Sequence, residues 1–350
     1  MTPTTSFKPT ILLSPMKSDF NHFIDSFSNT LADRGYRVRP YATKSLGAAN
    51  VVVFHWPNEF FLKKNSVSRL LKSYKRILFM RYFRRFNNLK VIWISHNIFP
   101  HDATEVDRRL LSFFFGTLDG IVCLSNASRN QLLASYPLCR NTPILVTVHG
   151  HYRDIQLAPA KISRWQKGRL RLGCFGQIRR YKNLLALVEC ASEIPDIADL
   201  EIVGKTIDSM LAEELEYAVS RTSNVTFASR ETYLDNTELE NFIDSCDAVA
   251  LPYRNITNSG AVLHALSRNR PVLAPKLGSL PELQNDVGKE WLYLYEGELS
   301  SGILTDFISN LNAREYSAAG PDLSRYGWDR IGSDCDQFFK SLFESKGNNL

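Results

Sequence analysis

The sequence predicts an α/β protein built from two Rossmann-like domains. Three observations carry that expectation. Short aliphatic and β-branched runs alternate with longer segments of helical periodicity, the pattern of a parallel sheet covered on both faces. The alternation lapses over residues 156–168 and then restarts. The 350 residues are long for one core and comfortable for two.

In the first half, Thr10 to Leu13 is a brief strand signal. Asn21 to Arg34 follows as a helix, because Phe23, Phe27 and Leu31 recur on one face and Gly35 supplies a stop. Val51 to Phe54, Val91 to Ser95, Ile121 to Leu124 and Ile144 to Val148 are compact runs suited to strands buried on both faces. Gln156 to Gly168, with Pro159 and several basic residues, reads as a linker. The second half then gives strands at Leu170 to Phe175, Leu200 to Val203, Val225 to Phe227, Ala248 to Leu251 and Val272 to Ala274. Helical patterns lie between them at Asn183 to Ser192, Ser209 to Ser220, Thr237 to Ser245 and Gly260 to Ser267. The expected organisation is a domain over 1–155, the linker over 156–168, a second domain over 169–320, and a helical tail over 321–350 that packs back on the first domain. Two such domains facing each other form a cleft at the carboxyl ends of their strands, where ligands are expected.

Composition excludes several classes. Hydrophobic content of 44% and charged content of 22% belong to an ordinary globular chain and not to a disordered or fibrous one. The net charge of +6 is too mild to name a partner by itself. Cys123, Cys139, Cys174, Cys190, Cys246 and Cys335 are scattered, with no CxxC pair and no histidine at ligand spacing. That argues against a zinc site or disulfide scaffold and for reduced thiols in the cytoplasm. Met1 to Ser14 lacks the basic start and apolar run of a signal peptide. No stretch reaches the roughly eighteen apolar residues of a spanning helix, so any membrane association is expected to be peripheral.

Two loops in the second half have the chemistry of a diphosphate site. Phe175-Gly176-Gln177-Ile178-Arg179-Arg180-Tyr181-Lys182 follows a strand, and Gly176 permits a tight turn. Arg179 and Lys182 are expected at the start of the next helix, where cations and open amides attract phosphate; the plainer alternative is a surface turn with solvated charges. Leu251 to Gly260 also follows a strand and opens a helix, with Ser259 as N-cap and the Gly260 amide accessible. Tyr253 and Asn258 belong to the same loop. A pyrophosphate leaving group needs its developing charge stabilised in this way. Glu282 follows the next strand and either accepts from a ribose or sugar hydroxyl or caps a helix; His264 reads first as a half-buried structural residue.

These segments resemble the GT-B glycosyltransferases, and the chain is similar to the family that contains the bacterial xanthan β-1,4-mannosyltransferases. The resemblance runs in order through His55-Trp56-Pro57, His96 to Asp102, His149 to Asp154, Phe175 to Lys182, Leu251 to Gly260, Arg270 to Pro275, Leu294 to Glu298 and Pro321 to Ser324. It implies a GT-B architecture and transfer of mannose from GDP-mannose to a polyprenyl-diphosphate-linked oligosaccharide in exopolysaccharide biosynthesis. It also implies work at the cytoplasmic face of the inner membrane. The same fold accommodates other donors such as UDP-sugars. One departure bears on mechanism: the pair of glutamates that retaining GT-B enzymes carry around the second donor loop is absent between Leu251 and Leu266. Inversion is therefore expected. No DxD-type loop stands ready to hold a metal with the diphosphate, so no metal and no cofactor beyond the nucleotide sugar are expected.

Inversion requires one base to take the acceptor proton. Ser95 to Asp102 follows a strand and concentrates His96, His101 and Asp102. Asp102 is the first candidate base and His96 the second, with His101 beside the acceptor; the plainer role for Asp102 is to cap a helix that includes Glu105 to Leu111. His149 ends the last strand of the first half, where it can meet the donor. Trp56, after His55 at another strand end, either offers an apolar plate for a sugar ring or, with His55, fills a buried structural role.

Lys63 to Lys90 carries ten basic and no acidic residues. Arg69, Lys72, Lys75, Arg76, Arg84 and Arg85 are interleaved with Val67, Leu70, Leu71, Tyr74, Ile77 and Leu78 at spacings of three or four. A basic amphipathic helix of this kind suits an anionic membrane surface. The rival is a helix packing its apolar stripe on the sheet. A nucleic-acid-binding protein without enzymatic activity would use the same basic stretch but would leave both phosphate loops unexplained, so no nucleic acid partner is expected.

Overall fold

The computed structural model describes residues 9–18, 21–61, 66–96, 106–155, 169–312 and 320–344. The chain divides into two compact units, one of Met1–Gly150 with Tyr326–Leu350 and one of His151–Arg325. The linker read at 156–168, the basic residues Lys63 and Lys64, and the pair His101 and Asp102 lie outside the described residues.

The first unit runs through β1 (Thr10–Ser14), α1 (His22–Asp33), β2 (Arg37–Pro40), β3 (Val51–Phe54), α2 (Asn58–Phe61), α3 (Val67–Phe86), β4 (Lys90–Ser95), α4 (Arg108–Phe115), β5 (Gly120–Cys123), α5 (Asn126–Ser135) and β6 (Ile144–Val146). Its six strands are all parallel, in the order β2-β1-β3-β4-β5-β6. Strand residues alternate between two cores, as the pleat requires. Ile11, Leu13, Val51 and Val53 pack with Phe23, Phe27 and Leu31 of α1 on one face. Leu12, Val52 and Phe54 pack with Ile77 and Met80 of α3 and Phe114 of α4 on the other. β2 was not legible beforehand: it is an edge strand whose residues are mostly exposed, so no apolar run announces it.

The second unit runs through β7 (Leu170–Phe175), α6 (Leu184–Ser192), β8 (Ala198–Lys205), α7 (Ser209–Val219), β9 (Val225–Arg230), α8 (Asn236–Ser245), β10 (Ala248–Ala250), α9 (Gly260–Ser267), β11 (Val272–Pro275), α10 (Leu280–Val287), β12 (Leu292–Tyr295) and α11 (Ser301–Asn312). The sheet is again parallel, in the order β12-β11-β10-β7-β8-β9. The chain winds outward from β7 through β9, then restarts on the other side of β7 with β10. The boundary between β7 and β10 is the topological switch point, where the crossovers part and leave a crevice at the strand ends. Finally α12 (Trp328–Glu344) returns to the first unit. Trp328, Ile331, Cys335, Phe339 and Leu342 recur at helical spacing and are buried on the α1 side of that sheet. Tyr36 donates to Asp336 at 2.6 Å and Thr147 to Asp334 at 3.0 Å, which fixes the helix at both strand edges. All six cysteines are free thiols and buried.

Charged residues form a buried network in the second unit. Arg268 is 1% exposed and donates to Glu240 at 3.2 Å and through Nε to Asp244 at 3.0 Å. Arg270 donates to the backbone carbonyls of Ile243 and Asp244 at 3.2 and 2.9 Å. Removing one member strands a cation in low dielectric, which costs about 3–5 kcal/mol. Asp244→Ala is therefore expected to destabilise this unit by about 3 kcal/mol. Native-state hydrogen exchange of the β7 and β10 amides is the measurement; protection unchanged from the parent would refute the network's structural role.

Candidate functional site

The switch point of the second unit brings together the two loops singled out in the sequence. β7 ends at Gly176, which has φ +106 and accepts this left-handed geometry without strain. A Cβ there would lie 2.6 Å from Lys182 Nζ. The space that Gly176 leaves is occupied by the lysine, whose amine donates to the Phe175 carbonyl at 2.9 Å. Lys182 is 6% exposed, and burial, reinforced by the Arg179 charge, pushes its amine down to about 8. Arg179 is extended and half-buried, and its Nε donates to Gln177 at 2.7 Å. The expected helix start needs a small correction. Arg180 to Lys182 form a 3-10 turn, Asn183 adopts φ 57, and α6 begins only at Leu184.

The second loop packs directly on the first. The Arg254 amide donates to the Tyr181 carbonyl at 2.8 Å, and the Tyr181 and Tyr253 rings stack 6.1 Å apart. Tyr253 is buried, with its hydroxyl 3.2 Å from Ser259 Oγ. Ser259 caps α9 by accepting from the Val262 amide at 3.2 Å, and Gly260 is the first helical residue. Asn258 is half-buried in the same loop. Gly278, at φ +54, lets the β11–α10 turn close against this loop, where the Ser279 amide donates to Thr257 O at 2.9 Å. Glu282 is half-buried in the first turn of α10. Cations, a capped helix N-terminus and a carboxylate thus stand on adjoining loops, an arrangement able to hold an anionic diphosphate. His264 is buried, stacked 4.5 Å from Tyr152 and edge-on to Phe175, which gives it a packing role.

In the first unit, the strand ends gather an aromatic and imidazole cluster around Phe23. His55 follows β3 and His96 follows β4, with His55 Nδ1 3.0 Å from His96 Nε2. Trp56 is half-exposed and stacks on His96 at 4.8 Å. Phe23 meets His96 edge-on at 4.6 Å and His149 at 4.8 Å. His149 Nδ1 lies 2.9 Å from the Gly150 carbonyl. Burial pushes His55 down to about 3 and His149 down to about 4. His96 is held well below its ordinary value by burial and then by His55 and His149. All three are neutral hydrogen-bonding groups at physiological pH, and His96 is a weak proton acceptor.

The capping role weighed for Asp102 falls outside the described residues; α4 as described begins at Arg108 and its cap is Asp107. That carboxylate accepts from Arg109 N at 2.9 Å and Leu110 N at 3.0 Å. The basic helix is also more differentiated than its sequence. Leu70, Tyr74 and Ile77 pack inward on the sheet, while Val67, Leu71 and Leu78 are exposed. Arg69, Lys72, Lys75 and Arg85 are exposed. Arg76 pairs with Glu59 at 3.1 Å, and Arg84 is turned onto both carboxylate oxygens of Asp119 at 2.9 Å. Lys90 is buried, 5.1 Å from the Phe343 ring centroid. No described helix is long and apolar enough to cross a membrane.

Comparison with known proteins follows the same division. Residues 169–304 match the family described as Glycosyl transferases group 1. The chain is 28% identical over 332 residues to a GDP-mannose:glycolipid 4-beta-D-mannosyltransferase of Xanthomonas campestris pv. campestris, covering 92% of this chain and 89% of that protein. Among solved structures, Anabaena Alr3699/HepE in complex with UDP superposes with a TM-score of 0.64 at 14% identity, covering 97% of this chain and 100% of the other. A glycosyltransferase from Rickettsia africae ESF-5 gives 0.66 at 11% identity, covering 98% and 100%. At these identities the structural likeness speaks for the fold. Two parallel six-stranded sheets, a group 1 domain over the second of them and a mannosyltransferase relative along nearly the whole length make this chain a glycosyltransferase of GT-B architecture, acting as a hexosyltransferase.

Proposed function

We propose that the protein transfers mannose from GDP-mannose, with inversion, to a polyprenyl-diphosphate-linked oligosaccharide in exopolysaccharide biosynthesis. The observation that carries this reading is the pair of loops at the β7–β10 switch point, bound together by the Arg254–Tyr181 hydrogen bond, in a chain similar to a GDP-mannose-dependent enzyme. In this reading Arg179 and Lys182 meet the diphosphate charge. Tyr253, Asn258, Ser259 and Gly260 line the same site, Glu282 accepts from a donor hydroxyl, and His149 is assigned as a further donor contact. Trp56 and His101 hold the acceptor. The acceptor hydroxyl gives its proton to Asp102 as its oxygen bonds to the anomeric carbon, and the bond from that carbon to the diphosphate breaks to release GDP. The two cations balance the leaving charge, so transfer is expected to survive a metal chelator. Incubation with labelled GDP-mannose and a bacterial membrane lipid extract should yield a labelled glycolipid. Labelling from UDP-sugars and not from GDP-mannose would overturn the donor assignment.

We further infer that the protein works on the cytoplasmic face of the inner membrane, held there by α3. Val67, Leu71, Leu78, Phe79, Tyr82 and Phe86 are exposed on one side of α3, opposite the buried Ser73, Ile77 and Met80. A solvent-facing apolar stripe flanked by Arg69, Lys72, Lys75 and Arg85 is what an in-plane interfacial helix presents. Attraction to anionic lipid is worth roughly 1 kcal/mol per well-placed cation. High salt is expected to release part of the protein from anionic vesicles, and neutral vesicles should bind it weakly. Equal binding to both at every salt concentration would remove the electrostatic component.

A further inference from the structure

A second anion-seeking feature lies in the first unit and has no place in the donor chemistry. An open cavity of about 520 Å³ is lined by Arg81 of α3 and by Arg108, Arg109, Ser112 and Phe113 of α4. Its size falls within the roughly 300–1,000 Å³ of small-ligand sites. The two helices meet here through Tyr74 and Phe113, whose ring centroids are 5.8 Å apart. The Arg81 guanidinium lies 4.6 Å over the centroid of the same Phe113 ring, which presents it toward the cavity at little conformational cost. Among the described residues none of the three guanidiniums has a carboxylate partner. Asp107, the residue before Arg108, is engaged by the Arg109 and Leu110 amides.

Local folding physics does not account for this grouping. Arg108 and Arg109 occupy the first turn of α4, where the helix dipole is positive and cations are disfavoured. Arg81 then adds a third like charge from a neighbouring helix. Three guanidiniums and a hydroxyl around one cavity match the acceptor-rich, anionic oxygens of a phosphate ester, which they can meet with paired hydrogen bonds.

We propose that Arg81, Arg108, Arg109 and Ser112 form a phosphate-ester site, taking the phosphate or diphosphate of a ligand presented beside α3. The choice of a lipid as the carrier rests on the acceptor reading given above; the phosphate chemistry rests on the cavity alone. Co-sedimentation of the whole protein with vesicles separates the two. Phosphatidylcholine vesicles would carry either phosphatidic acid or, at matched surface potential, cholesteryl hemisuccinate, whose charge is a carboxylate. The parent protein should prefer the phosphatidic acid vesicles by about tenfold, since charge-assisted fork contacts add to simple attraction. The R81Q/R108Q/R109Q variant should lose that preference. A control variant, R69Q/K72Q/K75Q, lies outside the cavity and should weaken binding to both vesicles alike while keeping the preference. Sodium pyrophosphate, with chloride holding ionic strength constant, distinguishes the sources. If it abolishes the preference the site takes free phosphate as well, and if it does not the site reads lipid-borne phosphate; either result upholds phosphate recognition. A parent protein without preference, or a triple variant that keeps it, overturns the proposal. None of these readouts needs sugar transfer, so a failure here leaves the donor assignment standing and a failure of the donor assignment leaves this site standing.

Discussion

Replacing Lys182 with methionine is expected to slow sugar transfer by about 10²–10³-fold, the loss typical when one preorganised stabiliser of a leaving charge is removed. The chain encloses this amine beside Gly176, 2.9 Å from the Phe175 carbonyl, with Arg179 close enough to depress its basicity. Its value of about 8 in the folded protein lies well below that of a free lysine, near 10.4. Two consequences follow with definite sign. Donor binding favours the cation, so the apparent KM for the nucleotide sugar should rise as pH passes upward through about 8. Between about 8 and about 10.4 the unfolded chain binds more protons than the folded one, so the contribution of this residue to stability rises with pH across that window. Methionine keeps most of the length without the charge. The variant should be no less stable than its parent near neutral pH, and its donor KM should lose the alkaline rise. Steady-state kinetics across that range, with thermal unfolding beside it, provides the check. A parent-like rate in the variant, or an unchanged alkaline rise in KM, would displace Lys182 from the donor site. The double replacement of Arg179 and Lys182 by alanine should then abolish transfer with the fold intact.

How far these roles could be read in advance depended on what each residue's neighbours contribute. The loops at Phe175 to Lys182 and Leu251 to Gly260 were legible because apolar strand, glycine and helix start lie together in the chain. Their mutual contact was not, since the Arg254–Tyr181 bond joins residues far apart in sequence. In α3 the spacing of Val67, Leu70, Leu71, Tyr74, Ile77 and Leu78 fixes a helix but not which side meets the sheet; the structure sends half of them inward and half to solvent. Arg84 reads as a free cation until Asp119 is placed beside it. The pairing of Arg268 with Glu240 and Asp244 is likewise visible only once α8 and the end of α9 are brought together. Charge pattern reveals where anions are welcome, and only tertiary pairing reveals which cations are already engaged.

Replacing Asp102 with asparagine is expected to lower the single-turnover rate by about 10²–10⁴-fold at saturating donor, with donor affinity nearly unchanged. Asparagine preserves size and most hydrogen bonds while removing the basic oxygen, so the comparison isolates proton abstraction. Had Asp102 served as a helix cap, the same change would be nearly silent, because asparagine caps helices about as well as aspartate. In the described residues the cap of α4 is filled by Asp107, which accepts from the Arg109 and Leu110 amides. The competing base, His96, sits in a neutral cluster with His55, Trp56 and Phe23, where burial and neighbouring imidazoles make its protonated form costly. An imidazole so disfavoured as a cation gives little driving force for taking a hydroxyl proton near neutral pH. His96→Ala should therefore affect transfer chiefly by disturbing the wall of the cluster, and its loss should not depend on pH in the way a titrating base would. Near-normal single-turnover rates in Asp102→Asn, together with a loss of about 10²-fold or more in His96→Ala, would reverse the assignment and make the imidazole the base.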